Sequence, residues 1–297
     1  MDPINGSPDN DTLTGTPGDD TILGLGGNDN LNGADGNDSM NGGPGNDNLD
    51  GAGGSDSLDG GADNDYLQGA DGSNDTIDGG ADYDIASYNF GGINTPVSFT
   101  ATGTGTQPDG LGGTDTLLNI EEVHMFGGNA ADTLTGDSRR NYIMGNGGND
   151  TLAGGAEQDT FAYDPAQTNG VDRITDFTAD DSLHLQNFAI TSLSAGDDAN
   201  ALAQGAVLVG TPVAGGTKIY IGTNATAGAD LTIELQGSFA ASDLYFANDS
   251  YGARITYAPG MLKEGGPDGD NLNGAMGPDT QTFFGSRKTS KLQVPPS

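Results

Sequence analysis

Apolar side chains recur every nine residues along the first third of the chain, at Leu13, Ile22, Leu31, Met40, Leu49, Leu58 and Leu67. One extra residue around Ser73-Asn74 shifts the phase, and the series resumes at Ile77. A ninth copy departs, with Ala86 at that place and Ile85 beside it. Two residues before each stands an aspartate: Asp11, Asp20, Asp29, Asp38, Asp47, Asp56, Asp65, Asp75 and Asp84. A fixed period carried through this many copies is the pattern of a solenoid. Glycine is too frequent between these positions for a helix. Each copy therefore divides into a six-residue turn of Gly, Asn and Asp and a three-residue strand. The strand's one aliphatic side chain is buried only if neighbouring copies stack over it.

If turns alternate between two edges, every second copy shares an edge at the sheet spacing of about 4.8 Å. Aspartate then lies over aspartate. Two carboxylates about 5 Å apart repel by roughly 0.8 kcal/mol in water and by about 3 kcal/mol at an effective dielectric of 20. Such a stack needs a counter-charge. A hard cation that accepts carboxylates and turn carbonyls in flexible geometry answers it, and calcium is that ion. The aspartates read as metal ligands, and the fold class as all-β, a parallel β-roll.

The best copy, Gly42-Gly43-Pro44-Gly45-Asn46-Asp47-Asn48-Leu49-Asp50, fits G-G-x-G-x-D-x-U-x. The stretch resembles the RTX (repeats-in-toxin, haemolysin-type) calcium-binding family. The resemblance implies calcium held between same-edge turns by the sixth-position aspartates and loop carbonyls. It also implies a bacterial protein exported by the type I route on an uncleaved C-terminal signal, and so an extracellular location.

Beyond this first block (1–88), a connector with strands covers 89–126. It includes a strand-like run Val97–Ala101, a glycine-threonine loop over Gly103–Gly113, a stray copy with Asp115 as ligand, and Ile120 and Val123 extending the core. A second block (127–170) resumes the period with Asp132, Asn141, Asp150 and Asp159, and with Leu134, Ile143, Leu152 and Phe161 two places on. Asn141 keeps an oxygen but loses the charge, and Arg139 and Arg140 share its turn, so a weak site is expected there. Residues 171–262 read as a β-rich cap. Its start, Asp172-Arg173-Ile174-Thr175-Asp176-Phe177, resembles the segment after the roll in serralysin-type C-terminal domains. Period-two alternation over 205–258 predicts antiparallel strands, with turns near Asn224 and Gly228. Residues 263–297 reopen the frame at Asp270 and then turn basic, as a cut gene or an export tail would equally produce.

Charge sharpens this picture. The chain carries 43 acidic and 9 basic residues, and residues 1–88 hold nineteen aspartates with no lysine or arginine. Nucleic acid and anionic membranes are therefore unsuited as partners, and no apolar run is long enough to span a bilayer. Cysteine is absent, which excludes disulfides and thiolate metal sites. The N-terminus lacks the basic and apolar regions of a secretory signal peptide. No H-E-x-x-H or G-x-S-x-G motif occurs, and the EF-hand spacing fails after Asp268. The only histidines, His124 and His184, stand apart from any such motif. No aromatic row offers a glycan a stacking face. The expected role is non-catalytic: a calcium-binding structural or adhesive module, its cell-surface or matrix partner left open. The alternative is an accessory region of a secreted enzyme of protease, lipase or mannuronan epimerase type.

Overall fold

The computed structural model describes residues 3–259 apart from 70, 166–169, 197–201, 203, 213–215 and 223–230. The expected turns at Asn224 and Gly228 and the tail from 263 onward lie outside the described residues. The fold is all-β, and its first part is a parallel β-roll. Strands one period apart go to opposite walls, and strands two periods apart pair in parallel. Leu31 thus lies beside Leu13 and Leu49, and Met40 beside Ile22 and Leu58. All these aliphatic side chains except Leu13, in the end copy, are buried. The six-residue turn is long enough to carry the chain across between walls, which is why each copy needs only three strand residues.

One wall is continuous. Its sheet runs through eleven strands, from Thr12–Thr14 to Leu244–Asn248, and joins both repeat blocks. The opposite wall is built first by a seven-stranded sheet, which ends in the antiparallel pair Thr114–Leu118 and Gly105–Pro108. An eight-stranded sheet starting at Ser98–Thr100 then takes over. The loop expected over 103–113 thus contains a strand, because the exposed edge of Thr114–Leu118 is covered by pairing.

The blocks meet with a two-residue step. Leu67, Ala86, Val123 and Asn141 are in register across the continuous wall, and so are Tyr88, Met125, Ile143, Phe161 and Leu183. The apolar column of the first block therefore runs into the ligand column of the second, a displacement of about 7 Å along the strands. Tyr88 and Tyr163 stand where the frame elsewhere has glycine, each just before an insertion, and both are buried.

Parallel stacking continues past residue 170. Val171–Ile174 pairs with Thr151–Ala153, and Ser182–Gln186 with Thr160–Tyr163. Antiparallel pairing follows among Ala206–Val209, Thr217–Ile221 and Leu231–Leu235, and between Leu244–Asn248 and Gly252–Tyr257. Phe161, Phe177, Phe239 and Tyr257 form a chain of rings, with centroids 6.1, 5.9 and 4.8 Å apart, that ties the roll to this cap. Among the described residues no helix is long and apolar enough to cross a membrane.

Burial in this column predicts its energetics. Leu49→Ala, in a fully buried layer, should lower stability in calcium by about 2–5 kcal/mol. Leu13→Ala, in the half-buried end layer, should cost clearly less. Chemical denaturation of both variants checks this, and equal losses would contradict the stacking described.

Candidate metal centre

The turns place the aspartates in four columns. In the first, the N–H of Asp11 donates to Oδ1 of Asp29 at 2.7 Å, and the same bond links Asp29 to Asp47, Asp47 to Asp65 and Asp65 to Asp84. In the second it links Asp20, Asp38, Asp56, Asp75 and Asp115, at 2.8 to 3.0 Å. The second block has two shorter columns: Asp132 to Asp150 to Asp172, and Asn141 to Asp159 to Asp181. Each N–H holds one carboxylate oxygen of the next copy and sets its orientation.

The other oxygen is left over. Oδ2 of Asp29, Asp38, Asp47, Asp56, Asp65, Asp75, Asp84, Asp115, Asp150, Asp159 and Asp172 is buried without a hydrogen-bond partner. A buried anion with an orphaned oxygen is costly unless a cation completes it. Carbonyl oxygens stand close by. A methyl group placed on Gly42 would overlap both Asp47 Oδ2 and the Gly60 carbonyl oxygen. Gly24 meets Asp29 Oδ2 and the Gly42 carbonyl in the same way. Glycine opens each turn because a side chain would fill this oxygen-lined cradle. Among the described residues no three acidic or imidazole side chains converge. A bound ion must therefore be completed by backbone carbonyls, a donor set that suits calcium and its flexible oxygen coordination. The residues fit that ion. When bound it supplies the positive charge that the facing carboxylates lack.

Without metal, burial pushes up the carboxyls of Asp38, Asp47, Asp56, Asp65, Asp75, Asp84, Asp115, Asp150 and Asp159, and neighbouring carboxylates add to it. Asp56, Asp65, Asp115 and Asp159 rise to about 7, and Asp75 and Asp84 to about 6. Asp150 and Asp172 rise together, chiefly by burial. Asp20 moves the other way, because the N–H and hydroxyl of Thr16 stabilise its charge.

Three acidic positions escaped the sequence reading. Asp172 and Asp181 continue the columns, and the signal was present: they are nine residues apart, with Ile174 and Leu183 two places on. Glu121 closes the first column by accepting the Asp84 N–H at 2.9 Å. Asn141 has the apolar Val123 beside it toward the first block, so no facing carboxylate exists on that side. Its amide donates to the Arg139 carbonyl at 2.7 Å. Arg139 itself is turned away, binding Asp137 at 2.8 Å and the carbonyls of Gly103 and Ile120.

An aromatic group does form, contrary to expectation. Tyr66, His124, Phe126 and Tyr142 meet on the outer face of the continuous wall, with centroids 5.0 to 6.1 Å apart. The rings are tilted 39 to 79° to one another, so they pack together and present no flat platform. They are spread across three strands, Tyr66–Gln68, Glu122–Phe126 and Arg140–Met144, so their meeting depends on pairing between distant segments.

Residues 5–40, 41–74 and 126–161 match the family described as RTX calcium-binding nonapeptide repeat (4 copies). These stretches are calcium-binding repeats, and they hold Asp11 through Asp65 and Asp132 through Asp159. Among solved structures, the extracellular lipase LipA from Serratia marcescens is similar over 78% of this chain, at 16% identity and a TM-score of 0.23. The chain spans 39% of that protein, and at that score the likeness carries no argument. No curated protein matches the chain in sequence.

The raised carboxyls fix a pH dependence. A metal-free roll holds protons more tightly than the unfolded chain, so this contribution to its stability is full below about pH 4. It is lost as pH rises through 6 to 7, the folded values of Asp56, Asp65, Asp75 and Asp84. Calcium competes with those protons. The calcium midpoint should therefore be about tenfold or more higher near pH 5.5 than near pH 8, as followed by circular dichroism. Equal midpoints would contradict the assignment.

Proposed function

We propose that the chain is a secreted calcium-dependent structural or adhesive module whose rolls order when the protein meets extracellular calcium. The observation that carries this is the row of buried, unpartnered Oδ2 atoms repeated in register along both edges of the first block. A column of such carboxylates is self-repelling at the low calcium of a bacterial cytosol and closed by the ion outside, which suits export of an unfolded chain. The family resemblance supports type I export and an extracellular location. Likeness of the 171–190 segment to serralysin-type C-terminal domains is part of the same reading. The module itself is proposed as non-catalytic. Its charge distribution disfavours nucleic acid and membrane insertion.

Calcium titration of the full chain by circular dichroism tests the reading. The account expects little β signal in excess chelator at neutral pH and a cooperative rise near 10⁻⁴–10⁻³ M calcium, the extracellular range. Magnesium should substitute poorly, because it demands tight octahedral geometry. Asp47→Ala should raise the midpoint more than Asp11→Ala, since Asp47 links two copies and Asp11 begins its column. Full β signal in chelator would sink the proposal.

A further inference from the structure

The end turns differ from the interior turns in the residue four places before the aspartate. Before four interior aspartates that residue is left-handed: Leu25 at φ +80°, Ala34 at +72°, Gly43 at +104° and Ala52 at +60°. The aspartates they precede, Asp29, Asp38, Asp47 and Asp56, all have the orphaned Oδ2. Before Asp115 it is Leu111, which is not left-handed, although that Oδ2 too is orphaned. At the ends the corresponding residue is Ser7 or Thr16, four places before Asp11 and Asp20, or Thr178, three places before Asp181, none of them at positive φ. Its N–H donates to Oδ2 of its own aspartate, at 2.6 Å to Asp11, 2.6 Å to Asp20 and 2.7 Å to Asp181. Its hydroxyl donates to the same oxygen, at 2.8, 2.7 and 3.0 Å. Asp132, which heads another column, is closed by the Gly128 N–H alone at 2.7 Å.

The physical cause lies in the backbone. A β-branched residue is a genuine outlier at positive φ, so threonine keeps its turn in the conformation that aims the N–H at the carboxylate. Two charge-assisted hydrogen bonds then satisfy the oxygen that faces the cradle in other turns, while Oδ1 of Asp20, at the head of its column, stays buried without a partner. Glycine and, less readily, alanine or leucine can take the left-handed form, which turns the N–H away and leaves the oxygen for an ion.

We infer that hydrogen bonds from the turn to Oδ2, where a serine or threonine supplies both its N–H and its hydroxyl, decide whether that turn takes calcium. Ser7, Thr16 and Thr178 close their turns against the ion, and Leu25, Ala34, Gly43 and Ala52 leave theirs open. The inference rests on the calcium-binding reading of the repeats and assigns which copies are exempt. The exempt copies begin both columns of the first block and end one column of the second. At those places an ion would have a neighbouring turn on one side only. Closed by the protein itself, an end turn keeps its shape without metal and offers the next copy a fixed layer, the part that a capping repeat plays in a solenoid.

Counting bound ions on the full-length protein tests this. Thr16→Gly converts Gly15-Thr16-Pro17-Gly18-Asp19-Asp20 into the complete frame. By native mass spectrometry in saturating calcium, this variant should carry one more ion than the unaltered protein. Ala34→Thr should force an interior turn shut and carry one fewer, while Thr16→Val, which cannot turn left-handed, should gain none. Circular dichroism in the same buffer separates the loss of one ion from loss of the fold, which would release them all. An unchanged count in Thr16→Gly overturns the inference, and so does a full count in folded Ala34→Thr. Thr16→Gly alters only an end turn, so it decides the matter even if Ala34→Thr does not fold. If the unaltered protein binds no calcium, the reading of the repeats fails instead.

Discussion

Carboxylates stacked at the spacing of a β-sheet repel one another, and every other feature of the roll has to accommodate that repulsion. The spacing is not adjustable, because it is set by the backbone ladder. Each aspartate N–H clamps one oxygen of the next carboxylate, so a side chain cannot swing out to water without leaving that N–H unpaired. The charges can be relieved in three ways: by a proton, by a cation, or by hydrogen bonds from the turn itself. Interior copies, with their raised carboxyls and orphaned oxygens, are suited to the first two. End copies use the third.

The core is subordinate to this arrangement. A single aliphatic side chain per copy gives a narrow apolar stack whose burial depends on the turns closing on both sides. The continuous wall lets two such stacks share one sheet, although their columns are two residues out of line. That step bears on Asn141, in the second copy of the second block. Its neighbour toward the first block is Val123, so a carboxylate there would be buried with a facing partner on one side only. An amide fills the place: its Nδ2 donates to the Arg139 carbonyl, and its Oδ1 stays buried without a partner.

Much of the roll was legible in the sequence because its determinants are local: aspartate, the aliphatic residue two places on, and the glycines between recur at a fixed spacing. What was not legible depends on pairing between distant segments. The two-residue step is a matter of register between strands, which no single copy records. Asp172 and Asp181 follow an insertion and belong to a run that also reads as the start of the cap, so their shared period was hidden by the change of phase. Glu121 looked like half of an adjacent acidic pair, and only the pairing of the strand that follows it, Glu122–Phe126, with Ile85–Asn89 makes it the closing member of a column. The role of Thr16 and Thr178 rests on backbone conformation, to which spacing alone gives no clue.

The central claim, that counter-charge rather than apolar burial decides whether the columns close, is tested most directly by residue-resolved hydrogen exchange at neutral pH. The backbone N–H groups of Asp29, Asp38, Asp47 and Asp56 donate within the columns. They should be strongly protected in calcium and should exchange at nearly unfolded rates in chelator. The amides of the cap strands Thr217–Ile221 and Gly252–Tyr257, which carry no carboxylate column and pair in antiparallel fashion, should stay protected in both. Column amides that remain equally protected in chelator would show that the apolar stack closes the roll by itself, and would contradict the account.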